Sequence, residues 1–119
     1  MKKILVADDD PAICDSLRFM LEEEGYEVSI ASNGSVLKKT LSQKPDLLLL
    51  DLWMSGVDGR DVCKSLKQQK NLQHMPIILV SASRDIRKSA QDSGADDFIE
   101  KPFTMDDLLT KIQKWTSKK

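Results

Sequence analysis

The stretch Pro45-Asp46-Leu47-Leu48-Leu49-Leu50-Asp51-Leu52-Trp53-Met54-Ser55-Gly56-Val57-Asp58-Gly59 decides how the rest of the chain is read. Leu47 to Leu50 is a short unbroken apolar run, bounded by Pro45-Asp46 before it and by glycines after it. Such a run reads as a strand buried on both faces, as inner strands of parallel sheets are. An unpaired carboxylate inside it would be very costly, so Asp51 is expected where the strand ends and the sheet edge begins. In open α/β sheets, ligands and chemistry lie at that carboxyl edge. What Asp51 does depends on which residues arrive beside it.

Outward from this run, strand and helix patterns alternate five times. Ile4-Leu5-Val6-Ala7 reads as a buried strand stopped by Asp8-Asp9-Asp10. Asp10 then serves as an N-cap and Pro11 as the first helical residue, with Ile13, Leu17 and Leu21 as the buried stripe and Gly25 as the stop. Glu27 to Ala31 alternates, as a strand nearer an edge does. Asn33-Gly34 opens a second helix with Leu37 and Leu41 inward, ended by Pro45. After the Gly56 to Gly59 loop, Val62, Cys63 and Leu66 mark a third helix, and Lys67 to His74 reads as a polar loop. Ile77-Ile78-Leu79-Val80 is a further buried strand that stops at Ser81. A helix over about Arg84 to Ser93 has few apolar residues, Ile86 and Ala90 among them, and is expected to be weak. Asp97-Phe98-Ile99 forms a short fifth strand followed by Glu100-Lys101-Pro102-Phe103. Thr104 with Asp107 resembles a capping box for a last helix that buries Leu108, Leu109, Ile112 and Trp115. Strands joined by single helices imply right-handed crossovers. The fold class expected is α/β: a doubly wound, five-stranded parallel sheet, (βα)5 and flavodoxin-like, with helices on both faces.

The 119 residues make one domain, 1–119, large enough to fold alone. A formal net charge of -1 argues against a nucleic-acid-binding domain, which carries a clear basic excess. Lys118-Lys119 reads as a solvated terminus. No apolar stretch approaches the ~20 residues that span a membrane, and the start Met1-Lys2-Lys3 does not lead into a signal peptide. Cys14 and Cys63 lack CxxC spacing and read as reduced thiols of a cytoplasmic protein. The single histidine, His74, leaves a histidine metal site or a Ser-His-Asp triad without support.

In a parallel sheet all strand C-termini share one edge, and four of the five expected strands end there in a polar group: Asp8-Asp9, Asp51, Ser81 and Lys101. Helix capping accounts for any one of these alone, as it does for Asp10, but not for their convergence. Two carboxylates ~4 Å apart repel by about 4 kcal/mol at an effective dielectric of ~20. The cluster must therefore share protons, attract Lys101 or bind a cation. Oxygen donors without His or Cys favour Mg²⁺. These parts suit phosphoryl transfer onto a carboxylate, with Asp51 as nucleophile, Mg²⁺ held by Asp8 or Asp9, and Lys101 and Ser81 on phosphoryl oxygens. No glycine-rich phosphate loop is present, so the phosphoryl group must come from an outside donor.

Ile4 to Asp10, Leu47 to Leu52 with Met54 and Gly56-Val57-Asp58-Gly59, Val80-Ser81-Ala82 and Lys101-Pro102-Phe103 together resemble the receiver domains of two-component response regulators, over essentially the whole chain. The resemblance implies Asp51 as phosphoacceptor and Asp8 and Asp9 as the Mg²⁺-binding pair, with the Trp53 backbone carbonyl as a further ligand. Ser81 and Lys101 would complete the catalytic set, and a cis Lys101-Pro102 peptide is expected. Phe98 matches the family's aromatic switch position. Phosphorylation would draw Ser81 toward the phosphoryl group and let the aromatic ring turn inward, remodelling the surface of helix four, strand five and helix five. The implied partners are a sensor histidine kinase or histidine phosphotransfer protein as donor and a protein target as output, with no direct nucleic acid and no membrane. Such domains also pair through the switch face, as a phosphorylation-dependent homodimer. One departure stands out: the family commonly has Met-Pro after the phosphoacceptor strand, and here Met54 is followed by Ser55. Trp53 and Ser83 occupy the positions that tune phosphoryl loss in the family, and a bulky Trp53 is expected to slow it.

Other readings are weaker. A receiver cut from a hybrid kinase or DNA-binding regulator would share every motif, whereas the initial Met favours a stand-alone domain. A Mg²⁺-dependent hydrolase would carry an acid two residues after its nucleophile, where this chain has Trp53. A flavodoxin-like cofactor protein would have a Ser-, Thr- and Gly-rich phosphate loop in place of Asp8-Asp9-Asp10. A receiver-like binding module that is never phosphorylated is opposed by the complete acid, hydroxyl and lysine set.

Overall fold

The leucine run forms the central strand, as its two-faced burial requires. The computed structural model describes residues 1–117, so the Lys118-Lys119 tail lies outside the described residues. We number the strands of the main sheet β1 (Lys3–Ala7), β2 (Glu27–Ala31), β3 (Leu47–Asp51), β4 (Ile77–Ser81) and β5 (Asp97–Glu100). They are all parallel and lie in the order β2-β1-β3-β4-β5. The helices are α1 (Pro11–Glu23), α2 (Gly34–Leu41), α3 (Gly59–Lys67), α4 (Ile86–Ser93) and α5 (Met105–Thr116).

Alternation along each strand divides the core in two. Leu5, Leu48, Leu50, Ile77 and Leu79 face α2, α3 and α4, where they meet Leu37, Leu41, Cys63, Leu66, Ile86 and Ala90. Ile4, Val6, Leu47, Leu49, Ile78 and Val80 face α1 and α5, against Cys14, Leu17, Leu21, Leu108 and Ile112. Burying each such leucine is worth roughly 1.5–3 kcal/mol, which is why the inner strands can dispense with polar residues along their length. The Asp10 carboxylate accepts hydrogen bonds from the backbone N–H groups of Ala12 and Ile13 and starts α1 at Pro11, as expected.

Several details differ from the sequence reading. Helix α2 ends at Leu41, before Pro45, and the chain leaves it through Lys44 at φ +52°. The polar segment after α3 sends Leu72 and Met75 into the core. Leu109 and Trp115 are only half-buried against it. The loop after β3 contains a two-residue antiparallel ribbon, Trp53–Met54 against Val57–Asp58. Its turn residues, Ser55 and Gly56, have φ of +29° and +75°, the sign pattern of a type I′ hairpin turn. Helix α4 is short, lacks a side-chain N-cap bond from Asp85 and ends on left-handed Gly94, in keeping with its expected weakness.

Candidate functional site

Strand register builds the site as a staircase. Ala7 lies opposite Leu50, so Asp8 and Asp51 leave the sheet side by side. Asp51 lies opposite Val80, which puts Ser81 one step beyond it on the neighbouring strand. Ser81 lies opposite Glu100, which puts Lys101 one step beyond again, and the Lys101 N–H donates to the Ser81 carbonyl at 2.9 Å. The Lys101-Pro102 peptide is cis.

The Lys101 ammonium reaches back across the edge to Asp8 Oδ2 at 3.3 Å and Asp51 Oδ1 at 3.7 Å. Asp8 is buried, and its other oxygen accepts the Asp10 N–H at 2.9 Å. Burial, together with the Asp8 charge beside it, pushes the Asp51 carboxyl up to about 6. Lys101 and the Trp53 N–H oppose that rise without cancelling it, while Asp9 adds to it. One lysine therefore does not neutralise this cluster.

Asp9 is exposed and held differently. Its Oδ2 accepts both the Ser55 N–H, at 2.9 Å, and the Ser55 hydroxyl, at 3.0 Å. These bonds, the backbone one foremost, hold its carboxyl below the ordinary range. The hairpin loop is anchored at its far end by the Gly59 N–H on the Leu52 carbonyl at 2.7 Å. Gly59 must be glycine for reasons of space: a Cβ there would sit 2.8 Å from the Asp51 carbonyl oxygen and 3.0 Å from Leu52 Cα.

Asp8, Asp9, Asp51 and Lys101 thus meet at one point, with Ser81 alongside. The Ser81 hydroxyl oxygen accepts the Ser83 N–H at 2.9 Å, which ties the two residues of that loop together. Trp53, two residues after Asp51, is 57% exposed, and the Arg60 guanidinium stacks on its ring while Asp58 grips Arg60 through two oxygens at 3.1 and 2.8 Å. Phe98 is not part of the acid cluster. It lies on β5 opposite Leu79, half-buried, with Arg87 of α4 and Lys111 of α5 each 5.6 Å from its ring centre. Sequence reasoning overlooked Ser55 and Arg60 as partners of the site. The Ser55-Gly56 pair was the available signal, a two-residue turn between Met54 and Val57.

Asp8, Asp9 and Asp51 can each offer one oxygen within 4.8 Å of the others. This all-oxygen set suits a hard divalent cation of the Mg²⁺ type, which takes one or two carboxylates and keeps several waters. Cys14 and Cys63 are buried thiols, and burial pushes the ionisation of each up.

The model of the response regulator receiver domain matches residues 4–113. The chain belongs to the response-regulator receiver family. Among curated proteins, the receiver is 38% identical over 116 residues to the DNA-binding dual master transcriptional regulator RpaA of Synechocystis, covering 95% of this chain and 48% of that protein. It is 39% identical over 115 residues to the alkaline phosphatase synthesis transcriptional regulatory protein PhoP of Bacillus subtilis, covering 94% of this chain and 47% of that one. The chain thus spans about half the length of the curated relatives it matches. Among solved structures, the response regulator TrrA of Thermotoga maritima, in complex with Mg²⁺-BeF, superposes with a TM-score of 0.85 at 39% identity, covering 97% of this chain and 99% of that one. The receiver domain of a Pseudomonas aeruginosa sensor histidine kinase, with a magnesium ion in its active-site cleft, gives a TM-score of 0.87 at 26% identity, covering 98% of both chains. Receiver domains are phosphorylation-switched modules of two-component signalling, and the five-stranded doubly wound sheet is theirs. Among the described residues, no helix is long and apolar enough to cross a membrane.

Proposed function

We propose that this receiver accepts a phosphoryl group on Asp51 from the phosphohistidine of a sensor kinase or a phosphotransfer protein. The observation that carries the assignment is the placement of Lys101 Nζ against both Asp8 and Asp51, at 3.3 and 3.7 Å, one register step from Ser81. An Asp51 oxygen forms the new P–O bond as the P–N bond to the donor breaks, and the bonding pair stays on the imidazole nitrogen, which takes up a proton from water. Lys101 holds one phosphoryl oxygen as a point charge and Ser81 donates a hydrogen bond to another. Asp8, Asp9, Asp51 and the Trp53 carbonyl would hold Mg²⁺, which when bound supplies the positive charge that lets an anion attack an anionic phosphorus. The chain acts on itself and turns over no separate substrate.

The output is a change of surface. Ser81 now accepts from the Ser83 N–H; its shift toward a phosphoryl group would open space on the side of the sheet where Phe98 packs. Turning inward, Phe98 would leave Arg87 and Lys111 and alter the face of α4, β5 and α5, through which a cytoplasmic protein target or a second copy would bind. The near-neutral charge of residues 1–119 points to protein rather than DNA as the contact of this domain.

Intact mass after incubation with Mg²⁺ and a small acyl-phosphate donor tests the chemistry. One phosphoryl group is expected on wild type, none on Asp51→Asn and none in chelator. Equal labelling of wild type and Asp51→Asn would sink the assignment.

A second reading is favoured by the half-length match to RpaA and PhoP: the same receiver as the regulatory part of a longer transcriptional regulator. The mass of the protein isolated from its source, against 13.4 kDa for these residues, separates the two.

A further inference from the structure

Ser55 stands where the family pattern commonly has proline, and the structure gives it work that proline could not do. Proline has no N–H and is confined to φ near −65°. Ser55 sits at φ +29° and donates through both its N–H and its hydroxyl to a single oxygen, Asp9 Oδ2, at 2.9 and 3.0 Å. A left-handed non-glycine residue persists only where its surroundings hold it. Here the two bonds to Asp9 hold it, and they close the turn that joins Trp53–Met54 to Val57–Asp58.

The effect on Asp9 is as specific. Of the three clustered acids it alone is exposed, so nothing in the core fixes its carboxylate. Both Ser55 donors fall on Oδ2, so among the described residues no side chain holds Oδ1. Groups that hydrogen-bond a ligating carboxylate orient it, and removing them commonly costs 10–100-fold in metal affinity.

We propose that Ser55 is a positioning residue for the divalent cation: it aims the Asp9 carboxylate into the acid cluster by occupying one of its oxygens. The inference rests on the cation site proposed above. By linkage, a hairpin that strengthens cation binding is itself held by the cation to the same degree.

Calorimetric titration of Mg²⁺ into wild type, Ser55→Gly and Ser55→Pro, each in the full chain, tests it. Ser55→Gly keeps the N–H and suits the positive φ, so it removes the hydroxyl without straining the turn. An affinity about 10-fold weaker is expected for it; Ser55→Pro, which loses both donors and must also reshape the turn, should be no tighter than Ser55→Gly. Unfolding in chelator should be unchanged for Ser55→Gly, a readout that separates aiming from general stability. Wild-type affinity in both variants, or tighter binding in Ser55→Gly, overturns the proposal while leaving the cation site in place. A wild type that binds no Mg²⁺ removes the cation site itself and this inference with it.

Discussion

Arg60 stacks on Trp53, its guanidinium 4.9 Å from the ring centre, and Asp58 holds the arginine there with two hydrogen bonds. An exposed indole beside Asp51 is thereby kept from swinging freely. A contact of this kind is worth roughly 0.5–1 kcal/mol at a surface. Trp53→Ala is expected to shorten the lifetime of the phosphorylated protein, because the ring screens the acyl phosphate from water. Arg60→Gln should shorten it less, by about 2- to 5-fold at most, the factor that such a contact energy corresponds to. Decay of the phosphorylated mass after donor removal measures both. An unchanged lifetime in Trp53→Ala would show that the ring screens nothing.

Asp51 is a source of instability that depends on pH. Its carboxyl is raised from an ordinary value near 4 to about 6, so between those values the folded chain binds more protons than the unfolded chain. Stability from this group is fully present below about pH 4 and is lost as pH rises through about 6. Asp51→Asn should therefore gain on wild type across that window in chelator, by on the order of 3 kcal/mol at pH 7.5. Urea unfolding of the two proteins at pH 4 and 7.5 gives the difference directly. A gap that does not widen with pH would contradict the raised carboxyl.

Gly59 lies against the backbone where β3 ends at Asp51. In Gly59→Ala the new methyl group meets the Asp51 carbonyl oxygen and Leu52 Cα, neither of which can move as a side chain can. Overpacking of this kind costs about 1–3 kcal/mol. We expect that loss in urea unfolding, with slower Asp51 labelling by the acyl phosphate. Labelling at the wild-type rate would mean that the loop absorbs the methyl group without moving the acid.

Asp97 ties β5 to the last helix. Burial opposes its charge, but Lys111 and Trp115 each donate to it at 2.9 Å and outweigh burial, holding its carboxyl below the usual range. Its contribution is thus present above about pH 4 and falls away as pH drops through the lower folded value. Asp97→Ala should destabilise the protein by about 1.5–3 kcal/mol at neutral pH. A loss that fails to shrink on acidification would show that another interaction carries it.

Much of the site was legible because the inner strands allow no charge along their length. Leu47 to Leu50 could only deliver Asp51 at the sheet edge, and the same logic placed Asp8 and Ser81, whereas Lys101 follows the edge strand β5, which carries Asp97 and Glu100. Asp10 was legible because an N-cap acts within three residues of itself. The hairpin was missed for the opposite reason: two-residue strands are too short to show alternation, and Ser-Gly signals a tight turn less strongly than Asn-Gly or Asp-Gly. Leu72 and Met75 were missed because isolated apolar residues in a polar segment have no period to betray them. The bonds of Ser55 to Asp9, 46 residues apart, and of Asp97 to Trp115 arise only after folding, and no local pattern announces them.

The strand order also sets the sequence in which the parts of the acid site are made. β1 and β2 can pair first, β3 adds beside β1, and each later strand joins the growing edge as it is made. Synthesis runs from the amino end, although a domain folds as a unit. Asp8, Asp9 and Asp51 are all synthesised before Lys101, which follows the last strand of the chain. A nascent or truncated chain lacking that strand holds the acids but not the cation that reaches Asp8 and Asp51.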